Sequence, residues 1–323
     1  MAFHAARAVV AAVAITLAAL VPASAQQYPS QDIHIICGAP AGSGADLIVR
    51  YYAEKLRVAT GRIVIVDNKP GAQGNIATET LARAKPDGYT LYLNGGSVLA
   101  ANMHVFKSPP VDIVKQLQVV AGINKLATML SVRTDAPWKN LGELTTYLKQ
   151  KGDKASYAIS NPVAQVAGAI YKEKIGVPAV QIAYKAAADS ANDLKSGAID
   201  YAVYDPIYAL AQQREGRLRV LAISTAQRME SHPELPTFSE QGIPMDLLGW
   251  WAVFAPAGTP RPVVDKLASL FNDIQKLPET KTFLNTYGGD PWIFSPEEGQ
   301  ARLAKDVKDW ADYVKVGKIE PQG

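Results

Sequence analysis

The chain is poor in the residues that build reactive centres. Its 323 residues include one cysteine and four histidines. A lone cysteine, Cys37, closes no internal disulfide, so apolar burial must hold the core, and about 300 residues suffice for one large or two medium domains. Cys37 follows Ile36 inside a strand-like run, which makes it a poor lipid-attachment site. His34, His104 and His232 stand far apart in the sequence. There is no Gly-x-Ser-x-Gly elbow, no His/Cys/Asp/Glu set at zinc spacing and no Gly-Lys-Ser/Thr phosphate loop. Asp189 and Asp193 lack the further carboxylate and glycine of a calcium loop and read as helix-start acids. Arg228 reads as an ion-pair residue before a carboxylate clamp. The net charge of +3 is small, with no Lys/Arg block to serve a nucleic acid. No catalytic residue, metal or cofactor is expected.

Long apolar runs are equally scarce. The one that stands out, residues 9–21, follows a short basic segment and precedes Ala23-Ser24-Ala25, the pattern of a cleavable export signal. It is shorter than the roughly 20 residues of a membrane-spanning helix. The mature chain is therefore expected to begin near Gln26, outside the cytoplasm.

What is present is alternation. The apolar runs His34-Ile35-Ile36-Cys37, Ile63-Val64-Ile65-Val66 and Thr90-Leu91-Tyr92-Leu93 each lead through a loop into a helical pattern. The loops span residues 38–44, 68–74 and 94–97, and the first helix is expected over 46–60 with Gly61 as its stop. Such alternation implies βαβ units and a mostly parallel sheet. Right-handed crossovers then put all three loops at the carboxyl edge of the strands. The scheme restarts after about residue 125, with strands near 156–159, 180–184, 199–203 and 219–223, a loop over 160–165 and a helix over 166–175. A tail from about residue 250 offers one strand, 252–254, and helices after Pro262 and over 296–314, with Trp292 and Trp310 as packing residues. Too short of strands for a third sheet, it is expected to rejoin the first. The expected division is an export segment 1–25, domain one 26–124 plus 250–323, and domain two 125–249. Two crossings, near 122–125 and 248–251, make a hinge, and a hinged cleft favours a ligand.

Gly42-Ser43-Gly44 lacks the third glycine of a dinucleotide fingerprint, since Leu47 stands there. What remains is a glycine-rich turn feeding a helix start, which offers unpaired N–H groups and partial positive charge to an anion. A single loop of this kind reads first as a plain turn; three at one sheet edge favour an anion. Asp46 reads as the N-cap that orients the first loop. Asp205, just before Pro206, is either a ligand contact or a turn residue.

These motifs in this order resemble the periplasmic solute-binding receptors of tripartite tricarboxylate transporters, the Bug proteins. The resemblance rests on Gly42-Ser43-Gly44-Ala45-Asp46, Asp67-Asn68-Lys69-Pro70-Gly71-Ala72-Gln73-Gly74-Asn75 and Lys85-Pro86-Asp87-Gly88-Tyr89. It continues through Tyr184-Lys185, Leu235-Pro236-Thr237 and Ala255-Pro256-Ala257-Gly258-Thr259-Pro260, so it covers nearly all of the mature chain. It implies an α/β two-domain clamp of the periplasmic-binding-protein type, each domain a mainly parallel sheet flanked by helices. By matched position it implies first-lobe contacts at Ala41, Gly42, Ser43, Asn94, Gly95, Gly96 and Ser97. Second-lobe contacts would come from Ser160, Asn161, Gln165, Lys185, Ala186, Ala187 and Asp205. The implied role is capture of a small carboxylate, without catalysis, for membrane permease subunits, by a monomer. Ser43 and Ala186 replace glycines usual in the family, and the loop 160–165 is shortened. The shorter, more apolar loop leaves room for a flat ring, so an aromatic mono- or dicarboxylate such as terephthalate is expected before citrate. An aliphatic di- or tricarboxylate, an acidic amino acid and a signalling role are the alternatives, and an exported hydrolase is a remote one.

Overall fold

The computed structural model describes residues 28–323; the expected export segment lies outside them. The first strands are β1 (Ile33–Cys37), β2 (Val64–Asn68) and β3 (Thr90–Gly95), followed by helices α1 (Gly44–Thr60), α2 (Asn75–Ala82) and α3 (Gly96–Val105) respectively. A short α4 (Ile113–Gln116) leads into β4 (Leu117–Ala127). Then come β5 (Met129–Arg133), α5 (Leu141–Lys151), β6 (Ser156–Ile159), α6 (Pro162–Ile175) and β7 (Val180–Ala183). They are followed by α7 (Ala191–Ser196), β8 (Tyr201–Tyr204), α8 (Pro206–Arg214) and β9 (Leu218–Ile223). The chain closes with β10 (Leu248–Pro256), α9 (Arg261–Gln275), α10 (Pro278–Thr286), β11 (Gly289–Pro291) and α11 (Pro296–Val316).

Two sheets result, ordered β11-β4-β10-β3-β1-β2 and β7-β6-β8-β5-β9. The parallel pairings are those the alternation implies, β1 with β2 and β3, and β6 with β7 and β8. The remaining pairings are antiparallel, so both sheets are mixed. The reason is connectivity: a chain that leaves a sheet along β4 and returns beside it along β10 must run those strands in opposite senses. β4 and β5 went unassigned in the sequence because both faces are covered and their apolar run carries no alternation.

A single residue, Thr128, separates β4 from β5, and the return passes from Ser224 to Leu247 before β10. Ser224 joins the two passages. Its N–H donates to the Thr128 carbonyl at 3.0 Å and its Oγ accepts from the Thr128 N–H at 3.0 Å. The same Oγ donates to the Leu247 carbonyl at 2.8 Å, and the Leu247 N–H returns a bond of 2.8 Å to the Ser224 carbonyl. Fully buried, Ser224 thus uses its donor and an acceptor at once.

Helices cover both faces of each sheet. On the first sheet, α1 and α9 cover one face around Ile48, Leu56 and Phe271, and α2, α3 and α11 the other around Leu81, Leu99 and Leu303. On the second, α6 packs with Tyr157 and Tyr201 on one face, while α7 and α8 pack with Leu194, Tyr204 and Leu210 on the other.

Candidate functional site

β1 and β3 are neighbours, yet the helices that follow them leave toward opposite faces of the sheet. The same holds for β6 and β8, followed by α6 and α8. Each pair opens a crevice at the carboxyl ends of its strands, the position where open α/β sheets bind ligands. The two crevices face each other. Ile207, in the first turn of α8, belongs to the core of α1, and a Cβ on Gly44 would lie 2.9 Å from its Cγ2. On the other flank, Ala100 and Ala101 of α3 pack with Val163 and Ala164 of α6. The starts of α1, α3, α6 and α8 therefore border one interlobe crevice. A groove of about 570 Å³ opens on the α1–α8 flank, lined by Ala41, Gly42, Ser43, Leu47, Arg50, Tyr208 and Tyr287 among others; it reaches none of the expected contacts at 94–97, 160–165, 185–187 or Asp205. A depression of about 670 Å³ at Gln31, His34 and Lys85 lies by the opposite ends of β1 and β3 and touches none of the expected contacts.

Asp46 shapes the first loop, though not as the expected cap. The N-cap of α1 is Ser43, whose Oγ accepts from the Asp46 N–H at 3.3 Å. Because the helix begins at Gly44, Asp46 sits in its first turn with its carboxylate turned back. It accepts from the Gly42 N–H (2.8 Å), Arg50 Nε (2.8 Å) and Asn68 Nδ2 (2.9 Å). Burial alone would raise its pKa; the bonds from Arg50, Gly42 and Asn68 outweigh that and hold it below the ordinary value. Asn68 also donates to the Ala39 carbonyl at 3.0 Å, so it ties the first loop to the second.

The loops meet again at Tyr92. Its hydroxyl accepts from Asn94 Nδ2 at 2.6 Å and faces the Gly74 carbonyl at 3.5 Å. A Cβ on Gly38 would sit 2.5 Å from that hydroxyl, so the close approach requires glycine. Asn102 of α3 donates to the Gln73 carbonyl (3.1 Å) and to Asn75 Oδ1 (2.8 Å), closing the second loop onto the third helix. Ala72 and Gln73 adopt left-handed backbone angles there, an unusual conformation for side-chain-bearing residues. Asn68, Gln73, Tyr92 and Asn102 were not anticipated as site residues. Polar side chains in the second loop were the available sign.

Donors remain at the first-lobe helix starts. The Gly42 N–H is taken by Asp46 and the Ser43 N–H by the Pro40 carbonyl. The amides of Gly44 and Ala45 have no hydrogen-bond partner among the described residues. Gly95, the N-cap of α3, has no side chain to cover the first-turn amides of Gly96, Ser97 and Val98. Gly96 must be glycine, since a Cβ would lie 2.2 Å from Trp250 Cζ2. That indole is fully buried and held by Asp306 Oδ2 at 2.5 Å. Half-buried Trp251 was not anticipated either; its Nε1 lies 3.5 Å from the position of a Gly95 Cβ.

On the second sheet, β7, β6 and β8 are adjacent, so their ends bring Lys185 and Ala186, Ser160 and Asn161, and Asp205 to one edge. The expected loop 160–165 is shorter in fact, because α6 starts at Pro162 with Asn161 as its cap, and Gln165 lies in the helix. Asn161 Oδ1 accepts from the Ala164 N–H at 2.8 Å and Asp205 Oδ1 from the Tyr208 N–H at 3.0 Å. The Ala186 N–H is taken by Asp189 at 2.9 Å, Ala187 is buried, and Lys185 is exposed. Burial pushes the Asp205 carboxyl above its ordinary value, opposed by backbone N–H groups including that of Tyr208.

Comparison with known proteins agrees with this geometry. Residues 48–317 match the family described as the tripartite tricarboxylate transporter family receptor. The chain belongs to that family. Among similar proteins, a UPF0065 protein of Bordetella pertussis is 33% identical over 320 residues, covering 97% of each chain. The structure of the periplasmic binding protein BugD superposes with a TM-score of 0.82 at 29% identity, over 91% of this chain and 100% of that one. A Rhodopseudomonas palustris protein solved with adipate gives 0.86 at 25% identity, over 91% and 100%. This Bug-type receptor is thus a solute-binding protein, not an enzyme, built as the two-sheet clamp its resemblance implied.

Proposed function

We propose that this receptor is exported to the periplasm, captures a small carboxylate in the interlobe crevice and delivers it to its permease as a monomer. The two sheets with their helices act as the two jaws, divided at the end of β4 and the start of β10 (28–127 with 248–323, and 129–247) in place of the 124/125 and 249/250 boundaries expected from the sequence, and hinged at the Thr128–Ser224 junction. The observation that carries the reading is the convergence of the α1 and α3 starts, with uncapped amides at Gly44, Ala45 and Gly96, on a crevice roofed by the second sheet. Such amides bind an anion without a cationic side chain, and exclusion of water strengthens the bond. Leu47, Ile207, Tyr208 and Tyr287 give the groove apolar walls, which suit the flat ring of an aromatic carboxylate such as a benzoate.

A thermal-shift panel of aromatic and aliphatic carboxylates tests this. A ligand bound only by the folded state at about 100 times its Kd stabilises it by about 2.7 kcal/mol. Aromatic carboxylates are expected to raise the Tm and citrate is not. No shift with any carboxylate would refute the reading.

A further inference from the structure

The two sides of the crevice differ in what they offer. The first lobe presents donors: the open amides of α1 and α3. On the second lobe the corresponding helix starts offer fewer donors. Pro162 and Pro206 occupy the first helical positions and have no N–H, and Asn161 and Asp205 accept from the third-position amides of Ala164 and Tyr208. What this side adds is acceptors. A carboxylate accepts about four hydrogen bonds, so the backbone N–H groups at the start of α8 still leave Asp205 some unused capacity. Gln165, only 7% exposed, has an Oε1 with no partner among the described residues. Its position on α6 is informative. Ala169, one turn further along the same helical face, lies 3.0 Å from a Cβ placed on Gly317 of the first lobe. Gln165 therefore occupies the face turned toward the first lobe, at the crevice end of the helix. Lys185 is the only cation among the expected contacts, and it is exposed at the rim.

On the reading that the first lobe holds a carboxylate, we propose that the second lobe reads a hydrogen-bond donor at the far end of the solute. A hydroxyl or amino group would satisfy Gln165 Oε1 and Asp205, and a second carboxylate is selected against there. An orphaned buried acceptor is costly and is relieved by a donor. A carboxylate in its place would face Asp205, an unfavourable like-charge contact.

Calorimetry on the full mature chain tests this with two sets of probes: benzoate, 4-hydroxybenzoate and terephthalate; and hexanoate, 6-hydroxyhexanoate and adipate. The hydroxy acid is expected to bind about tenfold tighter than the plain acid in whichever set fits, and the diacid weakest. Asp205→Asn, which keeps a good helix cap, is expected to narrow the gap between hydroxy acid and diacid. Gln165→Met is expected to reduce the preference for the hydroxy acid over the plain acid; thermal melts of both variants confirm folding. A diacid that binds as tightly as the hydroxy acid, or a preference unchanged in both folded variants, overturns this inference and leaves carboxylate capture standing. If none of the six binds, carboxylate capture itself fails and this inference with it.

Discussion

Replacing Asp46 with alanine removes three bonds to one buried carboxylate, whose side chain is 4% exposed. The lost partners are the Gly42 N–H, Arg50 Nε and Asn68 Nδ2, at 2.8, 2.8 and 2.9 Å. Bonds to a charged group contribute about 1.5–3 kcal/mol each, so about 4.5–9 kcal/mol is an upper bound. Arg50 is 52% exposed and regains water, so its share falls to that of a surface pair, below about 1 kcal/mol. Gly42 is exposed and Asn68 half-buried, which lowers their shares too. A net loss of about 2–4 kcal/mol is expected, read as a lower Tm and denaturation midpoint at an unchanged m-value. Because the same carboxylate shapes the loop that leads into the Gly44 and Ala45 amides, solute affinity is expected to fall about tenfold. Asp46→Asn keeps an acceptor oxygen and should lie between. An alanine variant with the parent midpoint and the parent Kd would refute the role assigned to Asp46.

Other perturbations follow from the same contacts. The Asp46 pKa is depressed in the folded state, so its stabilisation is present above the unfolded value of 3.8 and is lost as pH falls through the folded value. The stability difference between the parent and Asp46→Ala should therefore shrink in acid, and a pH-independent difference would contradict this. Gly96→Ala places a Cβ against fully buried Trp250 and should cost about 1–3 kcal/mol in chemical denaturation while weakening binding. A neutral effect would show that the α3 start has room to shift. Ser224→Ala leaves the buried Thr128 N–H and Leu247 carbonyl each short of a partner, for a loss of about 2–4 kcal/mol. Wild-type stability there would remove the two-passage junction from the account.

Much of the parallel framework was legible because β1, β3 and β6 are short apolar runs bounded by glycine or polar loops. Gly61 ended α1 as expected, with φ 67. The strands β4 and β10, which fix the antiparallel half of the first sheet, were hidden or truncated. They are buried on both faces along most of their length, so alternation, the usual sign of a strand, is missing. At the site, glycine-rich loops marked the right edge of the sheet. Their internal bonding was not legible: which amides Asp46, Pro40 and Asp189 consume depends on turns that bring residues three to four apart into contact. Ser43 rather than Asp46 caps α1 because the helix starts two residues earlier than its apolar periodicity does. Asn68, Tyr92 and Asn102 act across 18 to 29 residues of sequence, a separation no local pattern reports.

The central claim is that backbone amides at the starts of α1 and α3 grip the solute. Amide-resolved NMR titration with the tightest-binding carboxylate tests it directly. The account predicts that the N–H signals of Gly44, Ala45, Gly96 and Ser97 move together, with one saturation curve. Saturable binding that leaves these four signals in place and moves others away from the crevice would contradict it.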